Sequence, residues 1–419
     1  MSQSEEYSWV KIRKIILVTC LVLVIIYLPV FISWRVYQYR AVSELVQAIE
    51  SFNDQETDEA LEKVKSRNAT ELALPRLIEL LESNSEIADS RALSRVFYAL
   101  GPAANSRLLE KIQPSENINI RVRAIYILRT IGRSQIDDYE FQRIVHSLVQ
   151  ALDDENRDIR FSAAQAISHI DPSRAGETLP VLVELLKDLD TGIRVEVIYL
   201  IGLFGNRAEG VLPELLIALK DPDSLVRGIA ASTIVKIGNS DIKVINGLIE
   251  VLSDENPNCR SRAAYALGQF GPQAKPAVPA LLASLNMLQD VEQEVPHNSL
   301  QESTRRSLRR SLIDALGDIG HASPEVIQAL ITTLNDKRYS ISRESAAIAL
   351  GKLGPKAVGA VPDLVKVRDE AKIDSKLSSE TSMEIEFENR LGLEAAIALE
   401  QIDLKRFNRA LNESNTEAQ

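Results

Sequence analysis

The chain has 419 residues, of which 45% are apolar and 26% are charged, and its formal net charge is −11. This composition is that of a folded protein rather than a disordered one. The acidic balance argues against nucleic acid as the main partner, because phosphate binding requires a basic face. The two cysteines, Cys20 and Cys259, lie in an apolar run and in a repeat. The sequence therefore predicts neither a disulfide framework nor a cysteine metal site.

The N-terminal region contains a long apolar segment. Residues 1–14 form a short tail, and the next twenty residues, 15–34, carry no charge. As a helix, this segment would measure about 30 Å, which is the thickness of the hydrocarbon core of a bilayer. Trp9 and Trp34 flank it, as aromatic residues do at a membrane interface. The sequence predicts one transmembrane helix at residues 15–34, interface anchors at Trp9 and Trp34, and a helical stalk at residues 35–56.

The basic residues around this segment predict its orientation. Lys11, Arg13 and Lys14 precede it, and Arg35 and Arg40 follow it. Because positive charge is enriched on the cytoplasmic side, the prediction is a single-pass protein with a cytoplasmic N-terminus and extracytoplasmic repeats. A cleaved signal peptide and a lipoprotein cleavage site are the alternatives, although the apolar run is too long for the first.

Arginine recurs at a near-constant spacing along most of the chain. Four of the six steps are 33 or 34 residues, and a repeat of this length predicts a solenoid, since one unit cannot bury its apolar face alone. These ladder arginines are Arg121, Arg160, Arg194, Arg227, Arg260, Arg309 and Arg343.

Each repeat is interpreted as two antiparallel helices. A glycine such as Gly238 ends the first helix, and a proline such as Pro213 stands near the start of the second. Small residues in the middle of the first helix allow neighbouring helices to approach closely. Leucines spaced 33 residues apart on the second helix are assigned to the core, namely Leu182, Leu215, Leu248 and Leu281.

An aspartate stands six or seven residues before most ladder arginines, as Asp221 does before Arg227. The pattern is interpreted as helix capping combined with an Asp–Arg ladder between adjacent repeats. A ligand-binding role for these residues is the alternative.

The best-defined repeat resembles a known family. Residues 259–268 read Cys-Arg-Ser-Arg-Ala-Ala-Tyr-Ala-Leu-Gly, and Gly271-Pro272 and Val278-Pro279 follow. This pattern resembles HEAT repeats, especially the short type found in phycobilin lyases and bacterial scaffold proteins. The resemblance implies an all-α fold, a right-handed α-solenoid of stacked helix pairs, over residues 57–403. Insertions are expected near residues 289–302 and 369–383, and a C-terminal cap and disordered tail at residues 404–419.

No motif in the sequence predicts chemistry. The four histidines are scattered and form no zinc motif, and no phosphate-binding loop occurs. His169 is interpreted as a packed core residue. The chain is therefore not expected to be an enzyme, and no catalytic residue, metal or cofactor is predicted.

The sequence favours a membrane-anchored scaffold that binds another protein on a concave surface. In HEAT-like stacks the second helices line that surface, so their non-core positions are the candidates for partner binding. A solvated helix surface is the competing interpretation, and a chromophore (bilin) lyase-like accessory factor is the alternative function. The candidate residues are Glu184, Lys187, Glu214, Lys220, Asn246 and Glu250.

Overall fold

In the computed structural model the chain folds into helices. The structure describes the backbone of residues 3–83, 91–130, 136–291, 300–377 and 383–402, and the side chains of residues 27–83, 91–130, 136–288, 303–370 and 390–402. No strand occurs within these ranges, so the predicted all-α class is confirmed. The predicted C-terminal cap and tail lie outside the described residues, and so do almost all side chains of the two predicted insertions.

The helices fall into two compact units, residues 1–181 and residues 182–419. Unit 1 contains α1 to α8 and the first part of α9, and unit 2 contains the remainder of α9 and all later helices. In unit 1 the helices are α1 (Gln3–Glu50), α2 (Asp54–Ser66), α3 (Thr70–Glu82), α4 (Arg91–Leu100), α5 (Pro102–Lys111), α6 (Ile118–Arg129), α7 (Asp138–Ala151), α8 (Arg157–Ile170) and the start of α9 (Ala175–Leu185). In unit 2 they continue as α10 (Thr191–Leu203), α11 (Leu212–Ala218), α12 (Ser224–Ile237), α13 (Ile242–Val251), α14 (Pro257–Gln269), α15 (Val278–Val291), α16 (Leu300–Ile319), α17 (Pro324–Asn335), α18 (Ser340–Leu353), α19 (Val361–Leu377) and α20 (Met383–Gln401).

First and second helices alternate along the chain. The ladder arginines lie on the even-numbered helices from α6 to α18, which are the first helices of their repeats. All lie near the helix start except Arg309, which lies in the middle of the longer α16. First helices of neighbouring repeats pack on each other, as α6 does on α8 in unit 1 and as α10, α12, α14, α16 and α18 do in series in unit 2. The odd-numbered second helices return between them and carry the predicted leucine core. Leu182, Leu215, Leu248 and Leu281 are all fully buried, which confirms that assignment.

Residues at the helix ends explain why the repeats start and stop where they do. Asp223 caps α12, because its side chain accepts a hydrogen bond from the backbone N–H of Leu225, and Asn256 caps α14 in the same way. Gly238 ends α12 with a φ of 81°, a left-handed conformation that glycine adopts without a steric penalty.

Small residues set the distance between neighbouring first helices. A Cβ atom placed on Gly317 of α16 would lie 2.9 Å from the Cα of Ala349 on α18, closer than two carbon atoms can pack. A Cβ on Gly268 of α14 would meet the Cα of Ala315 at 3.0 Å. The predicted close approach of first helices is therefore confirmed at these two crossings, where a side chain of any size would push the backbones apart.

The prediction of a membrane-spanning helix at residues 15–34 is wrong. Among the described residues, no helix combines the length and the apolar character needed to cross a bilayer. The predictions that depend on this helix are therefore wrong as well: the single-pass membrane location, its orientation and the interface role of Trp34. The side chain of Trp9 lies outside the described residues.

The end of α1 belongs to the helical stack, a role that differs from the predicted stalk. Ala41, Leu45 and Ile49 are completely buried, because this part of α1 packs on α2 and α3. Gln38 is also buried, and its Nε2 donates hydrogen bonds to the carbonyls of Arg67 and Asn68 at 3.0 and 2.9 Å. The helix therefore contributes its last turns to the core of unit 1.

Candidate functional site

Asp221 joins the ladder arginines of two successive repeats in unit 2. Its carboxylate accepts hydrogen bonds from Nε and Nη2 of Arg194, each at 3.0 Å. Its main-chain carbonyl accepts a hydrogen bond from Nη1 of Arg227 at 2.9 Å. The Oδ1 atom also accepts from the backbone N–H of Asp223, which opens the next first helix. One aspartate thus holds the preceding repeat by its side chain and its own repeat by its backbone.

Asp254 repeats this arrangement one repeat later. Its carboxylate accepts from Nε and Nη2 of Arg227 at 2.6 and 2.8 Å, and its carbonyl accepts from Nη1 of Arg260 at 2.8 Å. In unit 1, the carboxylate of Asp154 binds Arg121 and its carbonyl accepts from Arg160 at 2.9 Å. In unit 2 the result is a continuous network, the Asp–Arg ladder, which consists of Arg194, Asp221, Arg227, Asp254 and Arg260.

The ladder is electrostatically strong because it is shielded from water. The side chains of Arg227 and Asp254 are only 11% and 8% exposed. Burial is the largest influence on the pKa of Asp254 and raises it, but the hydrogen bonds from Arg227 and from the backbone N–H of Asn256, together with the charge of Arg227, hold the pKa below its ordinary value. The same competition, with Arg121 as the donor, lowers the pKa of Asp154. The hydrogen bonds to Asp221 and Asp254 raise the pKa of Arg194 and Arg227.

Arg309 and Arg343, the last two of the seven repeating arginines, are more deeply buried and have different partners. Arg309 lies 3.9 Å from the carboxylate of Asp336 and 4.0 Å from the ring centre of Tyr339, so a cation–π contact supplements a long ion pair. Arg343 donates its Nε to the carbonyl of Leu334 at 2.9 Å. Burial lowers the pKa of Arg309, because it disfavours the charged form.

The six predicted partner-binding residues lie on or directly after the second helices α9, α11 and α13. All are exposed except Glu214, which is half-buried. Its Oε2 is buried and has no hydrogen-bond partner in the described part of the chain. The structure brings Lys220 and Glu250 together, with Nζ 2.8 Å from Oε2 across neighbouring second helices. Glu214 and Asn246 lie on the same two helices but form no hydrogen bond with each other within the described side chains.

A cavity of about 250 Å³ lies beside the Lys220–Glu250 pair. Asp254 lines it together with Gly247, so the cavity connects the second-helix surface to the Asp–Arg ladder. A Cβ on Gly247 would lie 2.8 Å from Cδ2 of Leu216, which shows how closely α11 and α13 approach here. The side chain of Leu216 therefore fills the space beside Gly247.

Exposed large apolar residues of unit 2 include Ile217, Met287 and Leu189. The sequence rule that places second-helix positions away from the core also names Ile217, whereas it names neither Met287 nor Leu189. Ile217 is 74% exposed and lies between Glu214 and Lys220, three residues from each. Met287 on α15 is 68% exposed, and Leu189, in the turn before α10, is almost fully exposed. The sequence signal for Ile217 is its position two residues after the core Leu215, where a helix points away from the core. An apolar residue at such a position indicates a contact surface.

The described residues contain no cluster for metal binding. No group of three or more His, Cys, Asp or Glu side chains among them is placed to hold a metal ion. His169, interpreted from the sequence as a core residue, is exposed instead, and its Nδ1 lies 2.8 Å from the carbonyl of Gln165 one turn earlier. It is displaced from the core because its helix face turns to solvent at this point.

Comparison with known proteins identifies the repeats. Residues 105–194 and 212–295 match the sequence profile of HEAT repeats, and residues 308–336 match that of the PBS lyase HEAT-like repeat. These matches confirm the resemblance drawn from the residues themselves. No curated protein sequence matches the chain.

Solved structures share the fold. Kap95 in its complex with Nup1 is 16% identical with a TM-score of 0.58, and the match covers 90% of this chain and 54% of Kap95. Kap121p bound to the SUMO protease Ulp1p is 15% identical with a TM-score of 0.51, covering 87% and 45%. An engineered protein is 18% identical with a TM-score of 0.50, covering 86% and 98%. The chain spans about half the length of these karyopherins, and at these identities the likeness shows the fold of a HEAT solenoid.

Proposed function

We propose that this chain of HEAT repeats is a protein-interaction scaffold that acts by binding rather than by catalysis. Its partner-binding surface is the second-helix face of unit 2. This face consists of Glu184, Lys187, Glu214, Ile217, Lys220, Asn246 and Glu250. The observation that carries the proposal is the exposure of Ile217 in the middle of this charged surface.

Ile217 has the properties of a binding anchor. Burying an isoleucine side chain against a partner contributes about 1.5–3 kcal/mol, whereas its exposure gives this chain nothing. Glu214 and Lys220 flank it one turn away on either side, and Glu250 lies beside Lys220. An apolar centre with a charged rim is the usual anatomy of a protein-binding site, in which the centre supplies affinity and the rim supplies specificity.

The structural relatives support a protein partner for a fold of this kind. Kap95 was solved in a complex with Nup1, and Kap121p was solved bound to the SUMO protease Ulp1p. Because fold alone does not determine function, this likeness supports the class of partner and not its identity.

The test compares two apolar surface positions. Ile217→Ser and the triple charge reversal Glu184→Lys, Glu214→Lys, Glu250→Lys should both lose partners that the wild-type chain captures from cell extract. Leu225→Ser is the matched control, because Leu225 is also exposed in unit 2 but lies at the start of the first helix α12. Captured proteins are quantified by mass spectrometry, and melting temperatures confirm folding. Equal capture by the wild type and both face variants would exclude this surface as the partner site.

A further inference from the structure

Arg260 keeps only half of the bonding pattern of the other arginines in the Asp–Arg ladder. In Arg194 and Arg227, Nη1 binds backbone carbonyls, while Nε and Nη2 bind the carboxylate that lies 27 residues later. Arg260 retains the carbonyl contacts through Nη1, at 2.8 Å to Asp254 and 3.5 Å to Glu255. No carboxylate binds its other edge among the described side chains. The residue 27 positions later is Met287, which is exposed and apolar.

The length of α15 explains the missing carboxylate. In the two preceding repeats, α11 ends at Ala218 and α13 at Val251, and the ladder aspartate follows three residues later in a turn. α15 runs on to Val291 without such a turn. The helix therefore passes the position from which an aspartate would reach back to Arg260.

A second cation lies on α16, the first helix that packs on α14, which carries Arg260. Arg305, on α16, is half-buried, and its Nη1 is fully buried with no hydrogen-bond partner among the side chains and backbone that the structure describes. Burial, and then the positive charge of Arg305, lower the pKa of Arg260, whereas the pKa values of Arg194 and Arg227 are raised. The positive charge of Arg305 thus acts on Arg260, and among the described residues neither Nη1 of Arg305 nor the Nε and Nη2 edge of Arg260 has a hydrogen-bond partner.

We propose that Arg260 and Arg305 form a receptor for a carboxylate side chain, an aspartate or glutamate of a partner protein that completes the Asp–Arg ladder in trans. The two preceding rungs show the geometry that such a carboxylate would take, because each binds one bidentately through Nε and Nη2. The buried donor of Arg305 offers the bound carboxylate a further hydrogen bond. The partner's contact segment is therefore acidic.

This inference rests on the proposed scaffold function only in one respect: it assumes that another protein supplies the carboxylate. It does not involve the second-helix face, so the two proposals fail separately. If the wild-type chain does not bind an acidic peptide, but Ile217→Ser still loses partners that the wild type captures, the inference is wrong and the proposed function stands.

The probe is a hexaglutamate peptide, titrated into the full chain and measured by isothermal titration calorimetry at two salt concentrations. Arg305→Gln should weaken binding about tenfold, the effect of losing one charge-assisted hydrogen bond. Arg260→Gln should weaken it similarly, and Arg305→Gln remains decisive if Arg260→Gln unfolds, because Arg305 makes no structural hydrogen bond through Nη1. Arg310→Gln is the matched control, since Arg310 lies on the same helix but is exposed and pairs with Asp314 at 3.5 Å.

Three outcomes would overturn the proposal. If Arg310→Gln weakened peptide binding as much as Arg305→Gln, the peptide would be held by general charge attraction and not by this site. If equimolar inorganic phosphate displaced the peptide completely, the site would bind anions in general and would not be specific for a carboxylate. Tighter peptide binding by a Glu292→Gln, Glu294→Gln variant would mean that the chain's own carboxylates occupy the site.

Discussion

Arg227 and Asp254 join two successive repeats through two parallel hydrogen bonds, from Nε at 2.6 Å and from Nη2 at 2.8 Å, although they are 27 residues apart in the chain. The carbonyl of the same aspartate holds Arg260 of its own repeat. Each such aspartate therefore couples the position of one repeat to that of the next, and the stacking of repeats in unit 2 depends on it.

The Asp–Arg ladder should contribute measurably to stability. Asp254→Ala removes the partner of a nearly buried guanidinium, so the free energy of unfolding should fall by about 2–3 kcal/mol. Glu250→Ala breaks the exposed pair with Lys220 and should change it by less than about 1 kcal/mol. Urea denaturation followed by circular dichroism measures both. Equal effects of the two changes would show that burial of the ladder does not matter.

The lowered pKa values of Asp154 and Asp254 predict how stability depends on pH. Both carboxyls bind protons more readily in the unfolded chain, where their pKa is about 4, than in the folded chain. Their stabilising effect is therefore complete above about pH 4 and is lost as the pH falls through the folded pKa values. Melting temperatures between pH 7 and pH 3 should decline less steeply for Asp254→Asn than for the wild type. Asn246→Ala, which removes no titrating group, should keep the wild-type slope, and a wild-type slope in Asp254→Asn would contradict the assignment.

The glycine at the crossing of α16 and α18 should not tolerate a methyl group. Gly317→Ala places a Cβ 2.8 Å from that of Ala349, and the resulting strain should lower the free energy of unfolding by about 1–3 kcal/mol, even though alanine favours helix formation. Gly176→Ala on α9 meets no atom within 4 Å and should be neutral or stabilising. Thermal unfolding of the two variants distinguishes them. A stabilised Gly317→Ala would mean that the helices can separate freely.

The end of α1 should behave as part of the core of unit 1. Leu45 is completely buried, so Leu45→Ala should lower the free energy of unfolding by about 2–5 kcal/mol through loss of apolar contacts and creation of a cavity. Val36→Ala, one position on the exposed part of the same helix, should have little effect. Chemical denaturation measures both changes. If Leu45→Ala is as mild as Val36→Ala, this part of α1 acts as a stalk after all.

Much of the repeat architecture could be predicted because it depends on local signals. The 33-residue leucine register, the glycine at the end of α12 and the small residues of the first helices all act within one or two helical turns, and each is found where the pattern placed it. The transmembrane prediction was also drawn from a local signal, an apolar run, and it was wrong. Hydropathy reports the tendency of a segment to leave water and does not identify the environment that receives it.

By itself, the sequence determined the period of the repeats, the identity of the arginines and aspartates, and the core leucines. Only the tertiary structure decided that Asp254 gives its carboxylate to the preceding repeat and its carbonyl to its own. It also decided that α15 runs past the position of the missing aspartate, and that α16 with Arg305 packs on α14 with Arg260. The physical reason is distance along the chain. Helix caps and core registers are set by neighbours three or four residues away, whereas contacts between residues 27 apart exist only after whole repeats have stacked.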